Sequence, residues 1–347
     1  MKNNYFIYSI LILFLLIISC SKNNNKVQIT EKEKSKIMQI DSLTDIYKFK
    51  KKIKLKNVKK LYYFLKIKTN EEYFLATKLI SGNIHLFLWD IKGNYIGQAG
   101  RPGKGPGEYV ALGGLTFDDK NHNIFYIFDN LRNIIMEYQI KKNKIKFIKQ
   151  KNLNNVLDTN VDQLFIYNGK FYMISSVGQK GAYKIIILNK KFEIIKKMFK
   201  RKHSGHLRNS CYAVSNDKLF LLGEFDKKHK MYENYIYAYN LKSNKLINKI
   251  NIKEDTVFDI NVDKSKKFLL ISIWTNMLSN KKPIYHKIYD INGKYYKTIH
   301  QQGLHDYKKL LGINRTCKTY KNKIFIFKPD KNSESKVLIY DIDFGLK

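Results

Sequence analysis

The sequence predicts an all-β chain, a six-bladed β-propeller of four-stranded blades. The first supporting observation is a repeat: an aromatic or aliphatic residue, then a small polar or acidic one, then usually an aliphatic one. The steps between copies are 49, 50, 51, 50 and 51 residues. The copies begin at Trp89, Tyr138, Leu188, Tyr239, Tyr289 and Tyr340. A repeat of about fifty residues is typical of one propeller blade.

The second observation is the same strand-and-turn order inside each repeat. An apolar strand precedes the motif and has a turn at its start, as in residues 124–128 after Asn121-His122-Asn123. A further turn, such as Asn292-Gly293-Lys294, follows the motif and leads into another strand. No repeat shows the pattern of an amphipathic helix. Four strands therefore fit each unit.

The last repeat indicates how the ring closes. Only seven residues follow Tyr340, so the sixth blade has room for three strands and lacks its outermost one. Residues 46–55 alternate apolar residues with Lys, as an edge strand half exposed to water should. We predict that this N-terminal strand pairs with residues 337–342 and closes the last blade.

The N-terminus predicts export. Residues 5–18 form an apolar run shorter than the roughly 20 residues of a transmembrane helix, which indicates a signal peptide. Ile17-Ile18-Ser19-Cys20 resembles the bacterial lipobox, and the resemblance implies a lipid on Cys20. An ordinary secretory signal is the alternative. We expect a lipoprotein signal peptide at 1–19, a flexible tether at 20–44 with a short helix around 31–40, and the propeller at 45–347.

The lipobox resemblance also implies a location. Residues 21–26 lack the acidic residues that usually mark surface export in Bacteroidetes lipoproteins. We therefore expect a lipid anchor in the outer membrane, on its periplasmic side rather than at the cell surface.

The net charge of +36 first suggests a nucleic-acid partner. However, only five of the 65 cationic residues are Arg, and phosphate-binding proteins usually enrich Arg because its planar fork binds in two-point geometry. The Lys residues form no basic stripe above the background. Export also separates the protein from the genome, so we expect no nucleic acid among its partners.

A Gly-rich segment carries a family resemblance. Residues 100–109 read Gly-Arg-Pro-Gly-Lys-Gly-Pro-Gly-Glu-Tyr and are followed by Leu-Thr-Phe-Asp at 115–118. This pattern resembles the signature of six-bladed β-propeller lipoproteins of Bacteroidetes and is similar to the blade connection of NHL repeats. A tight structural turn is the favoured interpretation, since a phosphate cradle needs a following helix and a strand follows here.

The candidate ligand site lies in the connections between blades, which meet at the mouth of a propeller's central channel. Four of the five Arg and four of the eight His fall in these connections, including Arg201. Such a mouth suits an anionic or carboxylate-rich ligand. Loop capping and pairing with nearby acids is the alternative role. The candidate residues are Arg101, Glu108, His203, His206, Arg208, His300, His305 and Arg315.

Catalysis is the less favoured interpretation. The four His residues could supply a zinc site of a lyase or lactonase, with Glu108, Glu254 and Asp306 as the nearest carboxylates. Their spacing matches no known ligand pattern, so we expect no metal and no other cofactor. Cys211 and Cys317 fall in blades that are not neighbours, and free thiols are expected.

The sequence thus predicts an exported, lipid-anchored binding or scaffolding module. Its expected partners are the membrane, reached through the anchor, and either a protein or an anionic glycan or peptide. A metal-dependent propeller enzyme and a structural subunit of an outer-membrane complex remain as alternatives.

Overall fold

Six four-stranded antiparallel sheets follow one another along the chain, and they confirm the predicted six-bladed propeller. The structure is a computed structural model, and none of the helices in its described part is long and apolar enough to cross a membrane. It describes residues 27–41, 43–56, 66–153, 159–178, 183–200, 205–206, 212–215, 217–222, 225–226, 231–232, 235–252, 257–274, 284–300, 317–320, 323–328 and 335–346.

The strands run from the channel outward in each blade, with two short helices, α1 (Glu31–Met38) and α2 (Leu43–Ile46), before them. Blade one contains β2 (Ile67–Thr69), β3 (Tyr73–Ile80), β4 (Asn83–Asp90) and β5 (Tyr95–Gln98). Blade two contains β6 (Leu112–Phe117), β7 (Ile124–Asp129), β8 (Ile134–Lys141) and β9 (Lys144–Asn152). Blade three contains β10 (Thr159–Tyr167), β11 (Lys170–Gly178), β12 (Tyr183–Leu188) and β13 (Ile194–Lys200), with β14 (Gly205–His206) beside β11.

The second half of the ring repeats this order. Blade four contains β15 (Tyr212–Ser215), β16 (Lys218–Leu222), β19 (Tyr235–Asn240) and β20 (Lys245–Asn251), and a side hairpin adds β17 (Phe225–Asp226) and β18 (Met231–Tyr232). Blade five contains β21 (Val257–Val262), β22 (Phe268–Trp274), β23 (Ile284–Asp290) and β24 (Tyr295–His300). Blade six contains β25 (Cys317–Tyr320), β26 (Lys323–Lys328), β27 (Ser335–Ile342) and β1 (Tyr47–Leu55).

The ring closes as predicted, through the N-terminal strand. β1 pairs antiparallel with β27 from Tyr47 opposite Ile342 to Leu55 opposite Ser335. Ile53 and Leu55 are buried, while the Lys residues between and beside them are exposed. From Ile53 to Leu55 the alternating pattern therefore reflects one face packed in the ring and one face in water, whereas Phe49, at the register shift before Lys51, is exposed.

The hydrophobic core is divided among the six seams between blades. Six clusters of buried apolar side chains are present, and each joins two neighbouring blades. In blade three, Ile185 and Ile187 face blade four while Ile186 and Leu188 face blade two. Because successive strand residues point to opposite faces, one apolar strand serves two seams.

The repeated motif has a local physical role at the end of the third strand. Its first residue packs in a seam, as buried Trp89 does. Its second residue caps the following turn: Asp90 Oδ1 accepts hydrogen bonds from the backbone N–H of Lys92 at 2.9 Å and of Asn94 at 2.8 Å. Asn189, Asn240 and Asp290 accept the same kind of bond. The fifty-residue period therefore repeats both a packing position and a turn.

The first-to-second and third-to-fourth strand turns lie on one side of the ring, which we call the turn face; the opposite side is the mouth face. Hydrogen bonds tie successive blades together here. Asn70 Nδ2 donates to the His122 carbonyl at 2.9 Å, and Gly169 N–H donates to Asp119 Oδ2 at 2.9 Å. Farther round, Ser215 Oγ donates to the Lys266 carbonyl at 3.0 Å. Polar contacts on the turn face therefore join blades one, two and three in series, and blade four to blade five.

The N-terminal segment corrects one sequence expectation. The short helix is present as α1, capped by Thr30, and the buried side chains of Ile37 and Ile40 pack at the seam of blades five and six. Glu33 also pairs with Lys267 at 2.6 Å on the turn face. The description of residues 20–44 as a flexible tether is therefore wrong for residues 27–41. The signal segment and Cys20 lie outside the described residues.

Candidate functional site

The Gly-rich connection between blades one and two folds back on itself. Gly103 N–H donates to the Tyr109 carbonyl at 3.0 Å, and Tyr109 N–H donates to the Arg101 carbonyl at 3.1 Å. Gly107 has a φ of 69°, and a side chain there would meet the ring of Phe147 at 2.9 Å. Strand β6 follows, not a helix, so the connection lacks the element that a helix-based phosphate cradle needs.

Two predicted site residues meet inside this connection. The Arg101 Nε donates to Glu108 Oε1 as an ion pair, and Glu108 Oε2 accepts a hydrogen bond from Gly105 N–H at 2.7 Å. The Gly105 N–H and then Arg101 lower the pKa of the Glu108 carboxyl. Glu108 therefore holds the loop. The Arg101 side chain is 78% exposed and keeps most of its guanidinium open to solvent.

A residue that sequence reasoning missed, Arg132, clamps the connection from the neighbouring hairpin. Its Nε pairs with Asp129 Oδ2 at 2.8 Å. Its two terminal nitrogens donate to the carbonyls of Lys104, at 2.7 Å, and of Glu108. Asp129 is fully buried and also accepts from the N–H of Val110 at 2.8 Å. Burial raises the pKa of the Asp129 carboxyl, but Val110, Arg132 and further N–H donors outweigh burial and lower it.

Two buried tyrosines hold the other side of the connection. Tyr138 donates its hydroxyl to the Gly107 carbonyl at 2.7 Å. The Tyr109 hydroxyl accepts a hydrogen bond from Leu86 N–H of blade one at 3.0 Å, and burial raises its pKa to about 12. Tyr138 opens the second copy of the repeated motif, so the sequence pattern contains a residue that also fixes this loop.

The described residues include only part of the predicted mouth. Besides Arg101 and Glu108, the backbone of His206 pairs with Val177 in blade three, and His300 ends β24. The remaining candidates lie outside the described residues, and their convergence stays a prediction. These are His203, Arg208, His305 and Arg315, together with Arg201, Glu254 and Asp306.

The central channel contains a buried lysine. Lys68 lies on β2 in blade one, and its Nζ donates to the Tyr212 hydroxyl of blade four at 2.9 Å. Blades one and four are opposite each other in a ring of six, so these side chains meet across the channel. The same Nζ lies 5.3 Å from the centroid of the Tyr212 ring, which stacks on Phe165 of blade three at 5.2 Å. Burial lowers the pKa of Lys68 to about 7 and raises that of Tyr212.

A second lysine, Lys66, directly precedes strand β2 and lies nearer the mouth. Its Nζ donates to the Gly113 carbonyl of blade two and to the Asp162 carbonyl of blade three, the latter at 3.1 Å. The two inner strands approach closely here, since a side chain on Gly113 would meet the Val161 carbonyl oxygen at 2.6 Å. Lys66 therefore joins three blades and places a positive charge where the first strands begin.

The arrangement provides cationic and hydroxyl donors in the channel. In the described part of the chain, no three side chains among His, Cys, Asp and Glu are grouped to hold a metal ion. The sequence gives no signal for the two channel lysines, because Lys alternates with apolar residues in most outer strands as well. Only the position of β2 as an innermost strand distinguishes them.

Comparison with known proteins agrees with this architecture. A family model described as a 6-bladed beta-propeller matches residues 18–287. A crystal structure of a Bacteroides fragilis protein, provisionally described as exported, is 14% identical, with 88% of this chain and 97% of that chain covered and a TM-score of 0.57. The WD40 domain of Neurospora crassa Pan2 is 10% identical, with 82% and 76% covered and a TM-score of 0.47. No curated protein matches. At its identity, the Bacteroides structure supports the fold alone.

Proposed function

Because the chain belongs to the family of six-bladed β-propellers, we propose that it is an exported, lipid-anchored module that binds an anionic, carboxylate-bearing ligand in its central channel. Propellers place their ligand sites at the channel, where the inner strands of all blades meet. The proposed ligand class is an acidic glycan or an acidic peptide. Scaffolding through the rim is compatible with the same fold but has no specific contact in its favour.

The observation that carries the proposal is the position of Lys68. A buried amine is unfavourable for stability, since desolvation penalises its charged form. The side chain nevertheless lies in the channel with its Nζ against a neutral hydroxyl, that of Tyr212. A ligand carboxylate beside this Nζ would favour the charged amine through a charge-assisted hydrogen bond. An anionic ligand is therefore the class that this channel amine would bind most favourably.

The mouth face supports the same ligand class. Lys66 adds a second cation nearer the mouth, and Arg101 presents an exposed guanidinium on the connection between blades one and two. The remaining Arg and His of the predicted mouth fall in the sequence between the last strand of one blade and the first strand of the next. Together they would attract an anion before it enters the channel.

Export and anchoring are supported by the N-terminal sequence. The apolar run and the lipobox-like Ile17-Ile18-Ser19-Cys20 precede a segment that docks on the propeller from residue 27 onward. The similar Bacteroides fragilis structure is of a protein itself described, provisionally, as exported. We place the anchor in the outer membrane, with the propeller on the periplasmic side.

Replacing Lys68 by Met tests the channel site. The variant K68M is expected to lose at least tenfold in affinity for an oligogalacturonate or a Glu-rich peptide, because one charge-assisted hydrogen bond contributes roughly 1.5–3 kcal/mol. Its stability is expected to stay equal or to rise, since an apolar residue of similar volume replaces a buried amine. Titration calorimetry and thermal unfolding measure the two effects.

Lys218→Met is the matched control. Lys218 is also buried, but its Nζ faces the Asn292 side chain on the turn face, at 3.4 Å, and does not reach the channel. K218M should bind both probes as the parent does. Equal affinity in K68M and the parent would contradict the channel site, and a parent that binds neither probe would contradict the ligand class.

A further inference from the structure

The position where the chain leaves the propeller carries a further inference, which rests on the proposed lipid anchor. The Asn292 Nδ2 of blade five donates to the Val27 carbonyl at 2.9 Å, and Val27 packs against the seam of blades four and five. Six residues separate Val27 from Cys20. Even fully extended, this length of chain spans at most about 25 Å. The surface around Val27 must therefore stay close to the anchored lipid.

That surface carries exposed apolar side chains. Leu246 and Ile247 on β20 are 45% and 47% exposed, and within the described residues they are the one pair of sequence neighbours that are both large, apolar and exposed. The next residue, Asn248, donates from its Nδ2 to the Asn292 carbonyl at 2.6 Å. The apolar pair thus lies beside the residue that holds Val27. Exposed apolar patches of this kind mark binding surfaces on soluble domains.

Lysines flank the pair on its own strand, and an exposed tyrosine begins the outer strand of the next blade. Lys245 and Lys249 flank it on β20, and both are exposed. Lys249 Nζ lies 5.2 Å from the centroid of the Tyr237 ring. In blade five, Tyr295 is 47% exposed beside exposed Lys294. Apolar side chains beside Lys and Tyr are typical of protein surfaces that lie at the interface of an anionic bilayer.

We propose that this rim patch, made of Lys245, Leu246, Ile247, Lys249, Lys294 and Tyr295, rests on the anionic lipid surface to which Cys20 is anchored. A basic apolar patch adds its own attraction to an anionic bilayer beside that of the lipid anchor. The patch lies on the outer strands, so the ring stands on its rim. The bilayer then covers neither end of the channel, and the mouth face stays open to ligand.

Tryptophan quenching by brominated lipid tests the rim patch. The full-length lipidated chain is reconstituted in vesicles of phosphatidylglycerol and brominated phosphatidylcholine, as the parent and as the variants I247W and I148W. Ile148 is 40% exposed on β9 of blade two, which lies opposite blade five. After subtraction of the parent signal, the introduced Trp of I247W is expected to be quenched at least threefold more than that of I148W. Both positions are exposed, so both variants should keep the parent melting temperature.

Flotation of the same vesicles tests the lipid anchor separately from the rim patch. If the parent floats and the two variants are quenched equally, the rim patch does not face lipid, and a protein partner is the occupant to test next. If the parent does not float with the vesicles, the lipid anchor is wrong and the inference falls with it. Charge reversal in the K245E/K249E background is expected to reduce the I247W quenching at least twofold, and unchanged quenching would contradict the role of the lysines.

Discussion

Replacement of Ile53 or Leu55 by Asp is expected to lower the free energy of unfolding by about 3–5 kcal/mol, because each change places a charge in a packed seam. Both side chains are buried with Phe74 and Trp89 of blade one. They belong to the strand that completes blade six. Deletion of residues 45–57 should have the larger effect and abolish cooperative unfolding, since it opens the ring at that seam.

Lys52→Asp is the matched control on the same strand. Lys52 directly precedes the buried Ile53 and is exposed, so its replacement should change the free energy of unfolding by less than about 0.5 kcal/mol. Urea denaturation followed by circular dichroism measures all three variants. If I53D, L55D and K52D unfold at the same urea concentration, β1 does not close the ring.

Asp129→Ala is expected to destabilise the protein by a similar amount, about 3–5 kcal/mol, because it leaves a partly buried guanidinium and several N–H groups without their acceptor. The carboxylate holds Arg132, Val110 and Ala111 together at the base of the Gly-rich connection. Arg101→Ala is the control, since an exposed ion pair contributes roughly 0–1 kcal/mol. Equal melting temperatures for the two variants would contradict the clamp.

The effect of Asp129 should also depend on pH. Its pKa in the folded protein lies below the ordinary value of 3.8, so the carboxylate stabilises the fold above that pH. The contribution is lost as the pH falls through the folded pKa. The difference in the free energy of unfolding between the parent and D129A should therefore narrow below about pH 3.8. A difference that stays constant there would contradict a lowered pKa for the Asp129 carboxyl.

The parts of the fold that the sequence predicted are those set by local, repeated chemistry. Trp89 and Asp90 illustrate this: one packs in a seam and the other caps a turn, and blades three, four and five repeat both roles. Closure by β1 followed from counting strands, because a propeller with an unpaired edge in its last blade would expose backbone donors and acceptors.

The parts that could not be predicted depend on contacts distant in sequence. The docked segment 27–41 has few apolar residues, and only the seam of blades five and six gives Ile37 a place to be buried. Arg132 binds carbonyl oxygens of another loop, which leave no mark on side-chain pattern. Lys68 has the same sequence surroundings as many exposed lysines, and its importance comes from its place on an innermost strand.

Proton uptake on ligand binding tests the central claim, the cationic channel site, most directly. Burial lowers the pKa of Lys68 to about 7, so part of the Lys68 amines lack a proton at pH 7, and a bound carboxylate would raise this pKa. Calorimetry of oligogalacturonate binding in buffers of different ionisation enthalpy should therefore show proton uptake by the parent at pH 7, less uptake at pH 5.5, and none in K68M. Binding by the parent without proton uptake at pH 7, or with the same uptake in K68M, would contradict a ligand carboxylate at Lys68.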